Sequence, residues 1–137
     1  MRPDPARVAE THEWLAKAAL DLRAAQFEFT AQPPLTADIV FHCQQLAEKS
    51  SKAFLTWHDR PFRKTHNLVE IGQQCVALDP TLQDLMRRAA SLTEYAWRFR
   101  YPGVPTEPPE SEAQEALARA REVYEAILSR LPAQIQP

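Results

Sequence analysis

The sequence predicts an all-α protein, a compact antiparallel bundle of about five helices. Its twelve prolines divide the chain into Pro-free blocks, and each block carries apolar residues at helical steps of three and four. There are only two glycines, and no run of residues alternates apolar and polar in the manner of a strand. Scarce glycine also excludes the Gly-rich phosphate loops of P-loop and dinucleotide-binding proteins, which need clustered glycine.

Length and composition predict one domain over 1–137, with its core at about 6–131 and a Pro-rich loop at 102–110. At 137 residues the chain is 45% apolar and 25% charged, which is ordinary for a globular domain. A formal net charge of -2 excludes nucleic-acid binding by the whole surface and leaves only a local basic patch for it. No signal-peptide core and no membrane-length apolar run is present, so we expect a cytoplasmic protein.

The first two helices are predicted from caps and prolines. Asp4 followed by Pro5 is typical of an N-cap and a first helical residue, and the helix is predicted over 6–30. A pair of prolines ends it. Thr36 is then expected to cap the second helix, predicted over 36–58.

The remaining helices follow the same signals. The third, predicted over 67–78, begins with an Asn at its cap, and Asp79 before a proline opens the fourth, predicted over 80–99. Ser111 has the spacing of a capping box and opens the fifth, predicted over 111–131.

The apolar stripes predict the buried core. Its expected members are Leu15, Leu22, Leu46, Phe54, Leu68, Leu85, Leu92, Val123 and Ile127. Cys43 and Cys75 lie on the same stripes and are expected to be reduced core residues. Four large side chains lie off the main stripe or at helix ends: Trp14, Phe27, Trp57 and Trp97. This excess apolar surface predicts a homodimer.

Two cationic turns are the candidate binding site for a phosphate-bearing ligand. One turn joins the second and third helices and the other follows the fourth. The predicted site residues are Lys52, Arg60, Arg63, Lys64, His66, Arg98, Arg100 and Tyr101. An antiparallel pairing of helices three and four would bring both turns to one end of the bundle, where free backbone N–H groups favour an anion and an aromatic ring stacks a base. The alternative is two capped helix ends with solvated cations.

No residue is a strong catalytic candidate, and His66 is the one weak candidate. It lies at a helix start among cations, where a neutral imidazole can act as a general base; the alternative is a residue that organises the helix N-terminus. No Ser–His–acid arrangement or paired-carboxylate motif is present. The histidines lack metal-ligand spacing and the cysteines lie on apolar stripes, so neither a metal nor a cofactor is predicted.

In their order along the chain, these features resemble the HEPN domain family, from about Val8 to Leu131. The segments that carry the resemblance are Glu48-Lys49, Lys52-Ala53, Thr65-His66-Asn67-Leu68, Arg100-Tyr101-Pro102 and the Ala-rich last helix. The resemblance implies a helical bundle tied to nucleotides and RNA that often dimerises. It also implies frequent pairing with a small nucleotidyltransferase encoded nearby.

Many HEPN members look like metal-independent ribonucleases and toxins that use an Arg and, a handful of residues later, a His near the end of the bundle. This sequence departs from that pattern, because no His follows His66. Arg60 and His66 have a permissible spacing but lie in an earlier loop. The leading hypothesis is therefore an interaction module that works with a nucleotidyltransferase in a toxin–antitoxin-like or regulatory system. The alternatives are a ribonuclease with His66 as general base and a purely structural helical dimer.

Overall fold

The computed structural model describes residues 3–103 and 106–137, and the regular structure in those ranges is entirely helical. The α-helices are α1 (Pro5–Glu28), α2 (Thr36–Trp57), α3 (Leu68–Leu78), α4 (Gln83–Ala89) and α5 (Glu110–Leu128). Short 3-10 helices cover Pro80–Leu82, Ala90–Ala96 and Ala133–Ile135. The all-α prediction is confirmed. Among the described helices, none has the length and apolar character to cross a membrane. Part of the predicted loop at 102–110 lies outside the described residues.

Helix α2 is the centre of the bundle and packs against α1, α3 and α5. It is buried on nearly every side, as expected for a helix whose apolar residues surround its axis. Its buried residues nevertheless include Gln44, Glu48 and Lys52. Polar side chains inside a core must find partners, so these three residues indicate a polar network within the otherwise apolar core.

Three of the predicted helix caps are confirmed. Asp4 accepts a hydrogen bond from Ala6 N at 3.2 Å, and Asn67 Oδ1 accepts one from Val69 N at 2.9 Å. Asp79 accepts one from Thr81 N at 3.0 Å.

The other two predicted caps are wrong. Thr36 is buried inside the first turn of α2, and Leu35 takes the cap position without a side-chain hydrogen bond. Helix α5 starts one residue before Ser111, because the Pro109 carbonyl already accepts from Glu112 N at 3.0 Å. A proline fixes its own φ near the helical value, and here that favours an earlier helix start.

The predicted helix over 80–99 is divided. Helix α4 lies between two 3-10 stretches, the second of which runs from Ala90 to Ala96. A 3-10 helix has three residues per turn, so side chains three apart share a face. Leu92 and Tyr95 are so spaced, and both are buried. Helix α4 also packs closely against α3, because a Cβ added to Gly72 would lie 3.2 Å from Met86 Cβ.

Seven of the nine predicted core residues are buried; Leu22 and Leu85 are the half-buried exceptions. Cys43 and Cys75 are free and buried, as predicted, and burial raises the pKa of each thiol to about 12.

The chain leaves α2 through a left-handed turn that sends it back along the same helix. Asp59 has a φ of 56°, and its N–H donates to Thr56 O at 3.0 Å, while Arg60 N donates to Leu55 O at 2.9 Å. This is the Schellman arrangement. The predicted break after α2 is confirmed, and the returning segment 61–67 lies against the middle of α2.

Candidate functional site

The returning segment brings His66 onto a buried carboxylate in the middle of α2. Glu48 Oε1 accepts from His66 Nδ1 at 2.7 Å and from Gln44 Nε2 at 3.0 Å, and Glu48 Oε2 accepts from Lys52 Nζ at 2.9 Å. Gln44 Nε2 also donates to the His66 carbonyl at 3.1 Å. We call these four residues the Glu48 cluster.

Only one member of the Glu48 cluster is open to solvent. The side chain of His66 is 63% exposed, whereas that of Glu48 is 4% exposed. Because Nδ1 is held by the carboxylate, the Nε2 edge of the ring is the one presented outward. A carboxylate that orients an imidazole in this way is the arrangement found behind general bases.

Beside this cluster lies an open groove of about 730 Å³ between α1 and the segment after α2. We call it the Lys52 groove. Its lining residues are Asp4, Arg7, Glu10, Trp14, Lys52, Thr56, Asp59, Arg60, Pro61, Phe62 and Lys64. Four of them are cations and three are carboxylates, so the groove has mixed charge with a small positive excess.

Lys52 is buried between two aromatic rings. Its Nζ lies 5.5 Å from the ring centroid of Trp14 and 5.5 Å from that of Phe62, and the two rings meet edge to face at 6.0 Å. Lys52 therefore faces the segment that follows α2. Arg7 lies over the Trp57 ring at 6.0 Å, and its Nε is buried with no hydrogen bond in the described part of the chain.

The first cationic turn is split between the groove and the solvent. Arg60 and Lys64 line the groove. Arg63 instead forms two hydrogen bonds with Glu70, from Nε at 2.7 Å and from Nη2 at 2.8 Å. That bond raises the pKa of Arg63 and lowers the pKa of Glu70.

The second cationic turn makes internal pairs. Arg98 donates to Glu94 at 2.7 Å, and this bond raises the pKa of Arg98. Arg100 donates to Asp38 at 2.8 Å, and its guanidinium lies 3.9 Å from the Phe41 ring centroid. Tyr101 is 69% exposed.

The two turns do not form the single site that the sequence predicted. The predicted helix pairing is present, because Leu68 N donates to Thr93 Oγ1 at 3.1 Å. The cations of the two turns nevertheless lie at different places along α2. Arg100 pairs with Asp38 near its start, whereas the groove is lined by Lys52, later in the helix. Fourteen residues of helix separate Asp38 from Lys52, which is about 21 Å at 1.5 Å per residue.

A second polar cluster, which the sequence reading missed, surrounds His42 near the start of α2. His42 Nδ1 bonds Asp21 Oδ1 at 2.8 Å, and its Nε2 lies 3.4 Å from Asp38 Oδ2 and 3.6 Å from Glu28 Oε1. We call these four residues the His42 cluster. The available signal was the four-residue spacing of Asp38 and His42, which puts both on one helical face. Glu28 and Asp21 come from α1, and no local pattern reveals them.

The pKa values in the His42 cluster are shifted. Burial, followed by the neighbouring Asp38, raises the pKa of Glu28 to about 7. The hydrogen bond to Asp21 raises the pKa of His42, and a hydrogen bond from Glu28 lowers the pKa of Asp38. The close spacing of the two carboxylates therefore shifts their pKa values in opposite directions, upward for Glu28 and downward for Asp38.

Comparison with known proteins identifies the family. The sequence model of the HEPN domain family matches residues 11–131, from within α1 to just beyond α5. No curated protein and no solved structure matches the chain. The family match supports a nucleotide- or RNA-associated module. With its all-α bundle and a match over most of its length, the chain belongs to the HEPN domain family.

Proposed function

We propose that this HEPN domain is an interaction module that binds a phosphate-bearing ligand, a nucleotide or RNA, in the Lys52 groove. In this proposal it acts as a homodimer in the cytoplasm, beside a nucleotidyltransferase partner, within a toxin–antitoxin-like or regulatory system. Family membership supports the ligand class, and the groove supports the place.

The observation that carries the proposal is the combination of side chains in one groove. Arg60 and Lys64 at its rim are cations suited to phosphate. Trp14 and Phe62 offer ring surface for a base, since base–aromatic stacking contributes about 1–3 kcal/mol per base. Of the predicted site residues, Lys52, Arg60 and Lys64 line this groove, with His66 beside it on Glu48. Arg63, Arg98 and Arg100 are engaged elsewhere, with carboxylates.

The test is a titration of mononucleotides and short single-stranded RNA at low salt, followed by Trp fluorescence. The variant is the double change Arg60→Ala, Lys64→Ala. The matched control is Arg63→Ala, Arg121→Ala, which removes the same number of cations from exposed ion pairs outside the groove. We expect saturable binding to the wild type and the control, and loss of binding in the groove variant.

Two results contradict the groove proposal. One is a wild type that binds neither nucleotide nor RNA. The other is a control that weakens binding as much as the groove variant does, which indicates unspecific attraction to cations.

The proposed self-association rests on exposed aromatic surface. Phe27 is 74% exposed and Trp97 is 51% exposed, whereas Trp14 and Trp57 pack within the chain. We expect a dimer mass in sedimentation, and co-purification with a nucleotidyltransferase encoded beside this gene. A monomer that captures no such partner would leave the groove proposal standing and remove the assembly proposal.

The Glu48 cluster favours one second function, a metal-independent ribonuclease. In that reaction His66 takes the proton of a ribose 2′-hydroxyl, and the 2′-oxygen bonds to the adjacent phosphorus. The 5′-oxygen then leaves with a proton from solvent. Cleavage to 2′,3′-cyclic phosphate ends in chelator-containing buffer, absent from His66→Ala, is the expected signature. If the wild type cleaves no RNA, the ribonuclease alternative is excluded. If it also binds neither nucleotide nor RNA, the result favours the purely structural dimer.

A further inference from the structure

The His42 cluster has the geometry of a metal site. His42 Nε2, a Glu28 oxygen and an Asp38 oxygen all lie within 4.8 Å of one another. The separations from Nε2, 3.4 Å to Asp38 and 3.6 Å to Glu28, exceed those of a good N–H···O hydrogen bond. They match the edge of a tetrahedron around Zn²⁺, about 3.4 Å for ligands about 2.1 Å from the metal.

A second observation is independent of that spacing. Glu28 Oε1 is a buried carboxylate oxygen that accepts no hydrogen bond from any of the described residues. A buried oxygen left unpaired is costly, and this one lies on the side of the cluster where His42 Nε2 lies. A cation between the two would satisfy it.

The surrounding contacts orient the three ligands from outside. Asp21 holds His42 Nδ1 at 2.8 Å, and Arg100 donates to the other oxygen of Asp38 at 2.8 Å. Metal-binding histidines almost always give their second nitrogen to a carboxylate or carbonyl. Lys49 in turn donates to Asp21 at 2.6 Å. With neutral imidazole, the three carboxylates and two cations sum to one negative charge.

We propose that Glu28, Asp38 and His42 bind a first-row divalent metal ion, Zn²⁺ by ligand type and spacing. The fourth position is open to water. The ion joins the end of α1 to the start of α2 and, through Arg100, to the segment that follows the second 3-10 stretch. This proposal stands apart from the Lys52 groove and from any activity of His66.

The test uses the full chain, freed of metal with a chelator and titrated with Zn²⁺ by calorimetry. Co²⁺ absorption reports tetrahedral coordination. We expect one site per chain, and more than about tenfold weaker binding in Glu28→Gln and in Asp38→Asn. Both variants keep the size of the side chain, and Asp38 is partly exposed, so at least one folded variant is available.

Matched controls separate this site from adventitious binding. His66→Ala removes the other histidine–carboxylate pair, and Asp84→Asn removes an exposed carboxylate paired with arginines. Both should bind Zn²⁺ as the wild type does. The proposal is overturned if the wild type binds no Zn²⁺, if both ligand variants bind as tightly as the wild type, or if His66→Ala abolishes the site.

Discussion

Helix α2 contributes one residue to each of two histidine–carboxylate pairs, which have nearly equal geometry and opposite surroundings. His42 Nδ1 lies 2.8 Å from Asp21, and His66 Nδ1 lies 2.7 Å from Glu48. At His42 the remaining nitrogen faces two further carboxylates. At His66 the ring is mostly exposed, and its carboxylate is shared with the buried Lys52.

The difference shows that a paired Nδ1 does not by itself define what a histidine does. The pair fixes the orientation of the ring, and the groups around Nε2 determine the chemistry. Anionic neighbours favour a cation at His42, and an open edge favours a ligand or a proton transfer at His66. Asp21 and both of its donors are mostly buried, whereas Glu48 is buried and its donor His66 is exposed. Mutations of the two carboxylates should therefore have different effects.

The largest expected effect is on the Glu48 side. Glu48→Ala leaves the Lys52 ammonium buried without its counter-charge, and breaking a buried pair in this way costs about 3–5 kcal/mol. The free energy of unfolding in urea measures it. The double variant Glu48→Ala, Lys52→Met should recover most of the loss, because the lone charge is gone. An unchanged unfolding midpoint in the single variant would contradict the assignment.

A smaller loss is expected on the His42 side. Asp21→Ala removes the acceptor of His42 and Lys49, and hydrogen bonds to charged groups contribute about 1.5–3 kcal/mol. Both donors are about a fifth exposed, so water replaces part of the loss. The pKa of His42, followed by NMR, should fall because Asp21 is the largest cause of its elevation. If Asp21→Ala costs more than Glu48→Ala, the order of the two clusters is wrong.

The pH dependence of stability should come from the His42 cluster, measured with chelator present. Glu28 faces Asp38, His42 and Arg100, and its pKa rises from 4.5 to about 7. Between these values the folded chain keeps a proton that the unfolded chain has released, so stability falls as pH rises. The raised pKa of His42 acts in the same direction, since its contribution is complete below 6.5 and lost above its folded value.

The variant that checks this is Glu28→Gln, which should flatten the decline in thermal midpoint from pH 4.5 to 7. Asp84→Asn is the control, because hydrogen bonds from Arg87 and Arg88 lower the pKa of Asp84, away from that range. A decline of equal slope in Glu28→Gln and wild type would assign the pH dependence to other groups.

The smallest effect is expected at Arg63, outside both clusters. Its pair with Glu70 has good geometry, but the Arg63 side chain is 77% exposed. Exposed ion pairs contribute little because water and salt replace them. Arg63→Ala should therefore leave the unfolding midpoint within experimental error. A clear loss would show that the segment after α2 depends on this pair for its position.

The fold could be predicted largely because its signals are local. Asp4, Asn67 and Asp79 cap helices by contacts two residues away, and prolines stop helices wherever they occur. The misplaced caps at Thr36 and Ser111 failed where neighbouring packing and a preceding proline determined the helix start. The second 3-10 stretch, which divides the fourth helix, makes a contact that is not local, from Leu68 N to Thr93 Oγ1.

The candidate sites were harder to predict because each combines residues from distant segments. In the sequence, Glu48 is one carboxylate within the predicted second helix, and the return of the chain after Asp59 is what places His66 on it. Glu28 lies fourteen residues before His42, on another helix. Charge alone grouped Arg63 and Arg100 with Lys64, since a sequence does not show which cations already have a carboxylate partner.

The left-handed turn at Asp59 bears on the entropy of binding. Two backbone hydrogen bonds fix the direction in which the chain leaves α2, so Arg60 is held at the groove before any ligand arrives. Ordering a loop on binding reduces affinity, and a rim that is already ordered avoids that loss. A non-glycine residue at this φ is unusual, so Asp59→Gly would relax the turn while widening the choices of the unfolded chain. Under the proposed function, the rim of the groove is thus preorganised by backbone geometry, and substitutions at Arg60 and Lys64 would change ligand selectivity without rebuilding the turn.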